Sequence, residues 1–213
     1  MRQPLPFSTY AARMSAPSVH AERSRVIPAN EYRRERWRNG AGWTREIAAE
    51  PEGGDWTWRL SIAEIEQDGP FSVFPGIERE LVLIRGNGLR LRFEDGEIRE
   101  LQPPHERIRF AGERVVRGEL LEGPTHDFNL MWRRDMIAAE LLHRPLVGPM
   151  LFFTEPGISW AIHLLAGQAK FDRALGLQDL WAGDTALLID GDERCRYALE
   201  GGGELLAIKL SRL

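Results

Sequence analysis

From about Val26 onward, apolar and polar residues alternate in short runs that Gly, Pro and Asp interrupt. That period of two predicts an antiparallel all-β protein. The run "DWTWRLSIAEI" sets Trp56, Trp58, Leu60 and Ile62 on one face and Thr57, Arg59, Ser61 and Ala63 on the other. "RELVLIRGNGLRLRF" reads as two strands joined through Gly86-Asn87-Gly88, where glycines supply the positive φ that a tight hairpin turn needs. "ISWAIHLLAGQAKF", "DLWAGDTALLI" and "GELLAIKLSRL" add further strands. The best helical pattern lies in "RRDMIAAELLHRP", where Met136, Ile137, Leu141 and Leu142 form one short stripe before Pro145.

The chain also matches itself. "LVLIRGNGLRLRF" from Leu81 overlays "AIHLLAGQAKF" from Ala161 with Gly86 on Gly167, and "HDFNLMWRR" then falls near "ELLAIKLSR". Two copies of one β unit are expected, over residues 26–135 and 136–213. Residues 1–25 mix Ser, Pro, Ala and Arg without periodicity and read as a flexible N-terminal tail, with Met14 as an alternative start.

Composition narrows the function classes. The chain has 213 residues and 43% apolar content, enough for a substantial core. Its 28 basic residues, nearly all Arg, are scattered among 32 acidic ones, which argues against a nucleic-acid partner. Cys195 is the single cysteine, so neither an internal disulfide nor a CxxC metal knuckle can form, and a cytoplasmic location is expected. No stretch has the roughly 18 uninterrupted apolar residues of a membrane-spanning helix, so no membrane association is expected.

The form of "LQDLWAGDTALLID", with its Gly-Asp turn before a buried strand, resembles cupin barrels, small jelly rolls whose mouths hold ligands. A common cupin metal motif reads H-x-H, three or four residues, E, six residues, G. In "SVFPGIERELVLIRG" the closing glycine is Gly86, while Ser72 and Phe74 occupy the histidine positions and Arg79 the carboxylate position. A guanidinium is a permanent cation with no lone pair for a metal, so the slot favours an anion, and no metal is expected in the cup. The plain alternative puts Arg79 at a solvated strand end, paired with Glu78 or Glu80. The five histidines show no HxH or HxxxH spacing.

In "WRNGAGWTREI", Gly40 and Gly42 lack both the third glycine and the βαβ setting of a dinucleotide loop. The glycines are expected to bend the backbone into close approach, with Asn39 and Thr44 presenting polar groups, unless the stretch is an ordinary turn feeding a strand. Together with "WRLSIAEIEQDGPFSVFPGIERELVLIRGNG" and "RFAGERVVRGELLEGPTHDFNLMWRR", this stretch resembles successive signature blocks of the HutD/Ves family, from about Val26 to the C-terminus. Trp43 departs from the commonest form of the first block, where a smaller residue is frequent. The resemblance implies a bicupin, two cupin-like jelly-roll β-barrels in one chain. It further implies a non-enzymatic binding protein without cofactor, associated with histidine-utilisation operons and restraining that pathway by sensing formylglutamate or urocanate.

Such an acid would pair with Arg59 and Arg79, with Asn39, Thr44, Ser61, Ser72 and Asn129 completing the hydrogen bonds. These residues converge only if the polar face of "TWRLSI" turns inward; otherwise Arg59 faces solvent while Trp56 and Trp58 fill the core. Asp127 either pairs with Arg59 or Arg79 or accepts backbone hydrogen bonds at a turn. The rival function is a cofactor-independent isomerase or hydrolase with Asp127 or Glu46 as base. A third reading makes Trp160, Trp181 and "GPMLFF" the face of a homodimer.

Overall fold

The computed structural model describes residues 23–213. The expected tail lies outside these residues except for Arg23, Ser24 and Arg25. Ser24 is buried, with its hydroxyl 3.0 Å from that of Tyr197, and Arg25 opens the first strand.

The protein is all-β. In chain order the strands are β1 (Arg25–Ile27), β2 (Arg33–Arg36), β3 (Gly42–Glu50), β4 (Trp58–Ile65), β5 (Gly69–Pro70), β6 (Ile77–Arg85), β7 (Leu89–Phe93), β8 (Ile98–Leu101) and β9 (Arg107–Ala111). They continue with β10 (Val116–Leu120), β11 (Thr125–Arg133), β12 (Ile137–Leu146), β13 (Met150–Thr154), β14 (Ile158–Phe171), β15 (Leu180–Trp181), β16 (Thr185–Leu188) and β17 (Cys195–Arg212). Three antiparallel sheets result. One has six strands in the order β2-β3-β4-β11-β6-β9, and one has four in the order β5-β10-β7-β8. The third has seven, with the path β1-β16-β14-β17-β12 and β13 and β15 attached to β17 and β14. Among the described residues no sheet closes on itself as a barrel.

Alternation decides how the sheets stack. On β4 and β11, Trp58, Leu60, Ile62, Phe128, Leu130 and Trp132 point to one face and pack against Ile137, Leu141, Ala161, Leu206 and Ile208 of the seven-stranded sheet. Each fully buried side chain of this kind contributes about 1.5–3 kcal/mol through removal of apolar surface from water. The opposite face of the six-stranded sheet meets the four-stranded sheet through Leu81, Leu83, Leu89, Leu91 and Phe110. A further cluster, including Phe152, Ile162, Leu164, Phe171 and Tyr197, lies within the seven-stranded sheet and its attached strands. The central strands of the two halves correspond: β11 lies between β4 and β6, and β17 between β14 and β12.

Two local expectations are corrected. The stripe Met136, Ile137, Leu141, Leu142 belongs to no helix: Ile137 to Leu146 is β12, paired with Gly203 to Arg212 of β17. Ile137 and Leu141 are four apart, a spacing that one face of a strand and one face of a helix share, and the long partner strand decides between them. The hairpin at Gly86–Gly88 is also absent as a paired unit, although both glycines have positive φ. β6 is already flanked by β11 and β9, so β7 finds no free edge there and passes to the four-stranded sheet.

Candidate functional site

One end of the six-stranded sheet is roofed by the segment around β5 and by the β2–β3 turn, leaving an open cup of about 590 Å³. Asn39, Thr44, Arg59, Ser61, Ser72, Arg79, Asp127 and Asn129 all line it. The ladder explains the convergence. Met131 faces both Arg59 and Arg79, Asn129 faces Ser61 and Leu81, and Asp127 faces Ala63, so the inward positions of β4, β6 and β11 form one polar floor. The strand β4 therefore serves two purposes: Trp58 is buried in the core between sheets while Arg59, its neighbour, lines the cup. Trp56 is half-buried, its ring 6.5 Å from that of Phe74.

The stretch "WRNGAGWTREI" forms the rim. β2 and β3 pair from Arg33↔Glu46 to Arg36↔Trp43, and the chain reverses between them at Gly40, which has φ +71°. Asn39 Oδ1 accepts the Ala41 N–H at 3.0 Å, fixing the turn, and Asn39 lines the cup. Gly42 lies against β4, where an added Cβ would sit 2.3 Å from the Glu64 carbonyl oxygen. The Trp37 indole N–H donates to the Thr44 hydroxyl at 2.8 Å.

Arg79 is the central feature. It is 5% exposed, and neither Glu78 nor Glu80 pairs with it: these engage Arg109 and Arg107. Its guanidinium carbon stands 5.4, 5.5 and 5.2 Å from the ring centres of Phe71, Phe74 and Phe110, which offer π faces to the buried cation. Nη1 donates to the Ser72 carbonyl at 3.2 Å, and Nε has no partner. Burial, assisted by the charge of Arg59, pulls its pKa down to about 10, so it remains a cation at neutral pH.

Neither reading of Asp127 holds: it forms no ion pair with Arg59 or Arg79, and it lies within β11 with no backbone hydrogen bond to its carboxyl rather than at a turn. Arg59 instead donates through Nε to Glu46 at 2.6 Å, and Glu46 also accepts from Arg33 at 2.9 Å. A β-bulge between Glu46 and Ala48 breaks the register here, so that Glu46 stays on the side of Arg59 while Ile47 and Ala48 join the core. Asp127 is fully buried, and its carboxyl receives one weak hydrogen bond among the described residues, from the Thr125 hydroxyl at 3.5 Å. Burial pushes its carboxyl up to about 8, with the Thr125 bond pulling the other way, which leaves it protonated at neutral pH. Asp127 Oδ1 and Asn129 Oδ1, like Arg79 Nε, are buried without a hydrogen-bond partner. Three such unpartnered polar atoms lie on lining residues of one cup, an unusual concentration for a folded protein.

The three frame positions, Ser72, Phe74 and Arg79, do meet in the cup, but among the described residues its lining contains no histidine and includes four arginines, Arg36, Arg38, Arg59 and Arg79. This donor set does not fit a divalent metal. Sequence reasoning missed Trp37, Phe71 and the rim residues Glu35, Arg36 and Arg38. Only the arrangement of the roof over the sheet brings them in, and no local spacing marks it.

Comparison with known proteins places this geometry. The protein Ves of Citrobacter koseri is 43% identical over 179 residues, 83% of this chain and 88% of that protein. The protein Ves of Cronobacter sakazakii is 43% identical over 106 residues, so the match spans 49% of this chain and little more than half, 58%, of that relative. The structure of HutD from Pseudomonas fluorescens SBW25 (formate condition) superposes with a TM-score of 0.77 at 30% identity, covering 89% of this chain and 99% of that one. A bacterial pirin in complex with nickel(II) from Escherichia coli shares the cupin-like fold at 11% identity, with a TM-score of 0.65 over 89% of this chain and all of that one. The family model described as HutD matches residues 29–207, and the chain belongs to the HutD family.

Proposed function

We propose that the chain is a non-enzymatic binding protein for a small carboxylate-bearing metabolite, acting in histidine utilisation by sensing an acidic intermediate such as formylglutamate or urocanate. The observation that carries this reading is Arg79, a buried cation in the cup that pairs with no carboxylate among the described residues. A ligand carboxylate supplies the missing partner to its guanidinium. Asp127 in its protonated form donates to an acceptor of the ligand, and Asn129 and Ser61 complete the floor. From Asp127 to Met131 the floor runs along β11 for about 13 Å at the strand rise, room for an extended acid bound at one end by charge and at the other by hydrogen bonds. The six- and four-stranded sheets are read as the two walls of an N-terminal cupin barrel (26–135) and the seven-stranded sheet as the second (136–213), with β1 (Arg25–Ile27) crossing from the first range to pair with β16.

Thermal denaturation with added formylglutamate, urocanate, histidine and glutamate tests this. The midpoint of the wild type rises with the concentration of the true ligand, by the mass-action stabilisation of about 2.7 kcal/mol at a hundredfold excess over Kd. R79A loses that rise while keeping its β-sheet circular dichroism, and R79K, which keeps the charge without the two-pronged fork, recovers part of it. An R79A response equal to that of the wild type sinks the proposal.

A cofactor-independent enzyme is the second reading, and one observation favours it: a carboxyl in a cup that titrates near pH 8 is poised for proton transfer. Glu46, the other acid considered, is held by two arginines. Chromatography of the same acids after incubation separates the readings, since product that disappears in D127N supports catalysis and unchanged acid supports binding alone.

A further inference from the structure

Outside the cup, His105, His143 and Glu204 bring one ligand atom each to within 4.8 Å of one another. They come from separate segments: the turn between β8 and β9, the middle of β12, and β17. We propose that these three side chains form a divalent-metal site of the zinc type, tying the turn of the first half to the seven-stranded sheet.

The geometry fits the ion. His105 Nε2 and His143 Nε2 both aim at Glu204 Oε2, at 3.2 and 3.3 Å. Ligands at zinc bond lengths of about 2.0–2.2 Å on tetrahedral corners stand about 3.3–3.5 Å apart, so both edges are already near their bound length. His105 Nδ1 lies 3.4 Å from the Leu83 carbonyl, which only accepts, so the ring proton belongs on Nδ1 and the Nε2 lone pair faces the carboxylate. Two electron-rich atoms at that distance repel unless something positive lies between them. A divalent metal ion held between them supplies that positive charge. The bond from Nδ1 to a backbone carbonyl is also the outer contact that fixes a ligating imidazole. The backbone of His105 is held at φ +57°, a left-handed conformation uncommon outside glycine, and its ring lies 4.7 Å from that of His143 on β12. His143 and Glu204 reach solvent, giving an ion a way in, while His105 is largely covered. Two imidazoles and one carboxylate leave a fourth position for water.

Titration of the full chain with zinc chloride against a chromophoric chelator tests the site. One equivalent binds with micromolar or better affinity and raises the thermal midpoint. H143A and E204Q, both at solvent-reaching side chains, each lower the affinity by at least about tenfold and remove the rise. H105N, which tolerates the left-handed backbone, does the same. H20A and H126A leave zinc binding unchanged, and H143A leaves the response of the cup to carboxylates unchanged. Failure of the wild type to take up zinc overturns the proposal, as do H143A and E204Q variants that bind it as tightly as the wild type.

Discussion

Arg79 and Asp127 line one cup yet do not pair, so each meets burial alone: the arginine stays charged among phenylalanine rings, and the aspartate keeps its proton. Asp127 therefore links stability to pH. Its folded pKa of about 8 lies above the ordinary carboxylate value, so the native state holds a proton that the unfolded chain releases near pH 4. Its contribution to stability is fully present below that point and is lost as pH rises toward 8, by about 1.4 kcal/mol per pH unit within the window. D127N cannot ionise. The difference in urea unfolding free energy between wild type and D127N should therefore move in favour of the variant from pH 5 to pH 7, and a pH-independent difference would mean that Asp127 ionises freely. The identities of these groups were legible from strand parity and from the cupin frame, which put Arg79 where a metal-binding carboxylate usually stands. Their lack of partners was not legible. Charge composition permits an Asp–Arg pair, and only the register on β11, with Glu46 reaching Arg59 first, excludes it.

At the scale of elements, the polar face of β4 turns into the cup because the opposite face carries Trp58, Leu60 and Ile62, which must be buried against the other sheet. A strand cannot bury one face without committing the other, which is why period-two reading located the cup's floor. It failed where two elements compete for one pattern. The stripe in β12 fits helix and strand alike, and the glycine pair after β6 fits a hairpin and a crossing between sheets alike; in each case a distant partner strand settles the outcome. The glycines of the rim are more specific. Gly42 packs on the backbone of β4, so G42A drives a methyl group into the Glu64 carbonyl and separates β3 from β4. A loss of about 1–3 kcal/mol in denaturant unfolding is expected, with weaker carboxylate binding because Thr44 and the Asn39 turn move with β3. G53A, where an added methyl meets nothing within 4 Å, differs by strain at its positive φ alone and should leave carboxylate binding intact.

At the scale of the whole molecule, the two halves are joined by a core cluster that belongs to neither, since Phe128 and Trp132 pack in one cluster with Leu206 and Ile208. Polar groups cross the same boundary. The Tyr32 hydroxyl donates to the Gly183 carbonyl at 2.6 Å and lies 2.7 Å from the Thr185 hydroxyl, which is itself 2.9 Å from His163 Nδ1. With the Tyr32 proton on Gly183, Thr185 donates to Tyr32, and His163 must donate from Nδ1 to Thr185. Its imidazole is buried 5.0 Å from the Phe128 ring, and burial, aided by the charge of Arg45, pulls its pKa down to about 3. The native state thus refuses a proton that the unfolded chain accepts near pH 6.5, so His163's contribution is present above that value and is lost as pH falls toward 3. Acid should therefore unfold both halves together. Far-ultraviolet circular dichroism, which reports all three sheets, and tryptophan fluorescence, which reports Trp58 and Trp132 in the first half with Trp160 and Trp181 in the second, are expected to change in one coincident transition. H163Q, which keeps a donor for Thr185 but cannot take up the proton, should shift that transition to lower pH relative to the wild type. Two separated transitions would show that the shared core couples the halves less strongly than its packing implies, whereas a coincident transition unmoved by H163Q would leave the coupling intact and place the acid trigger at another buried group.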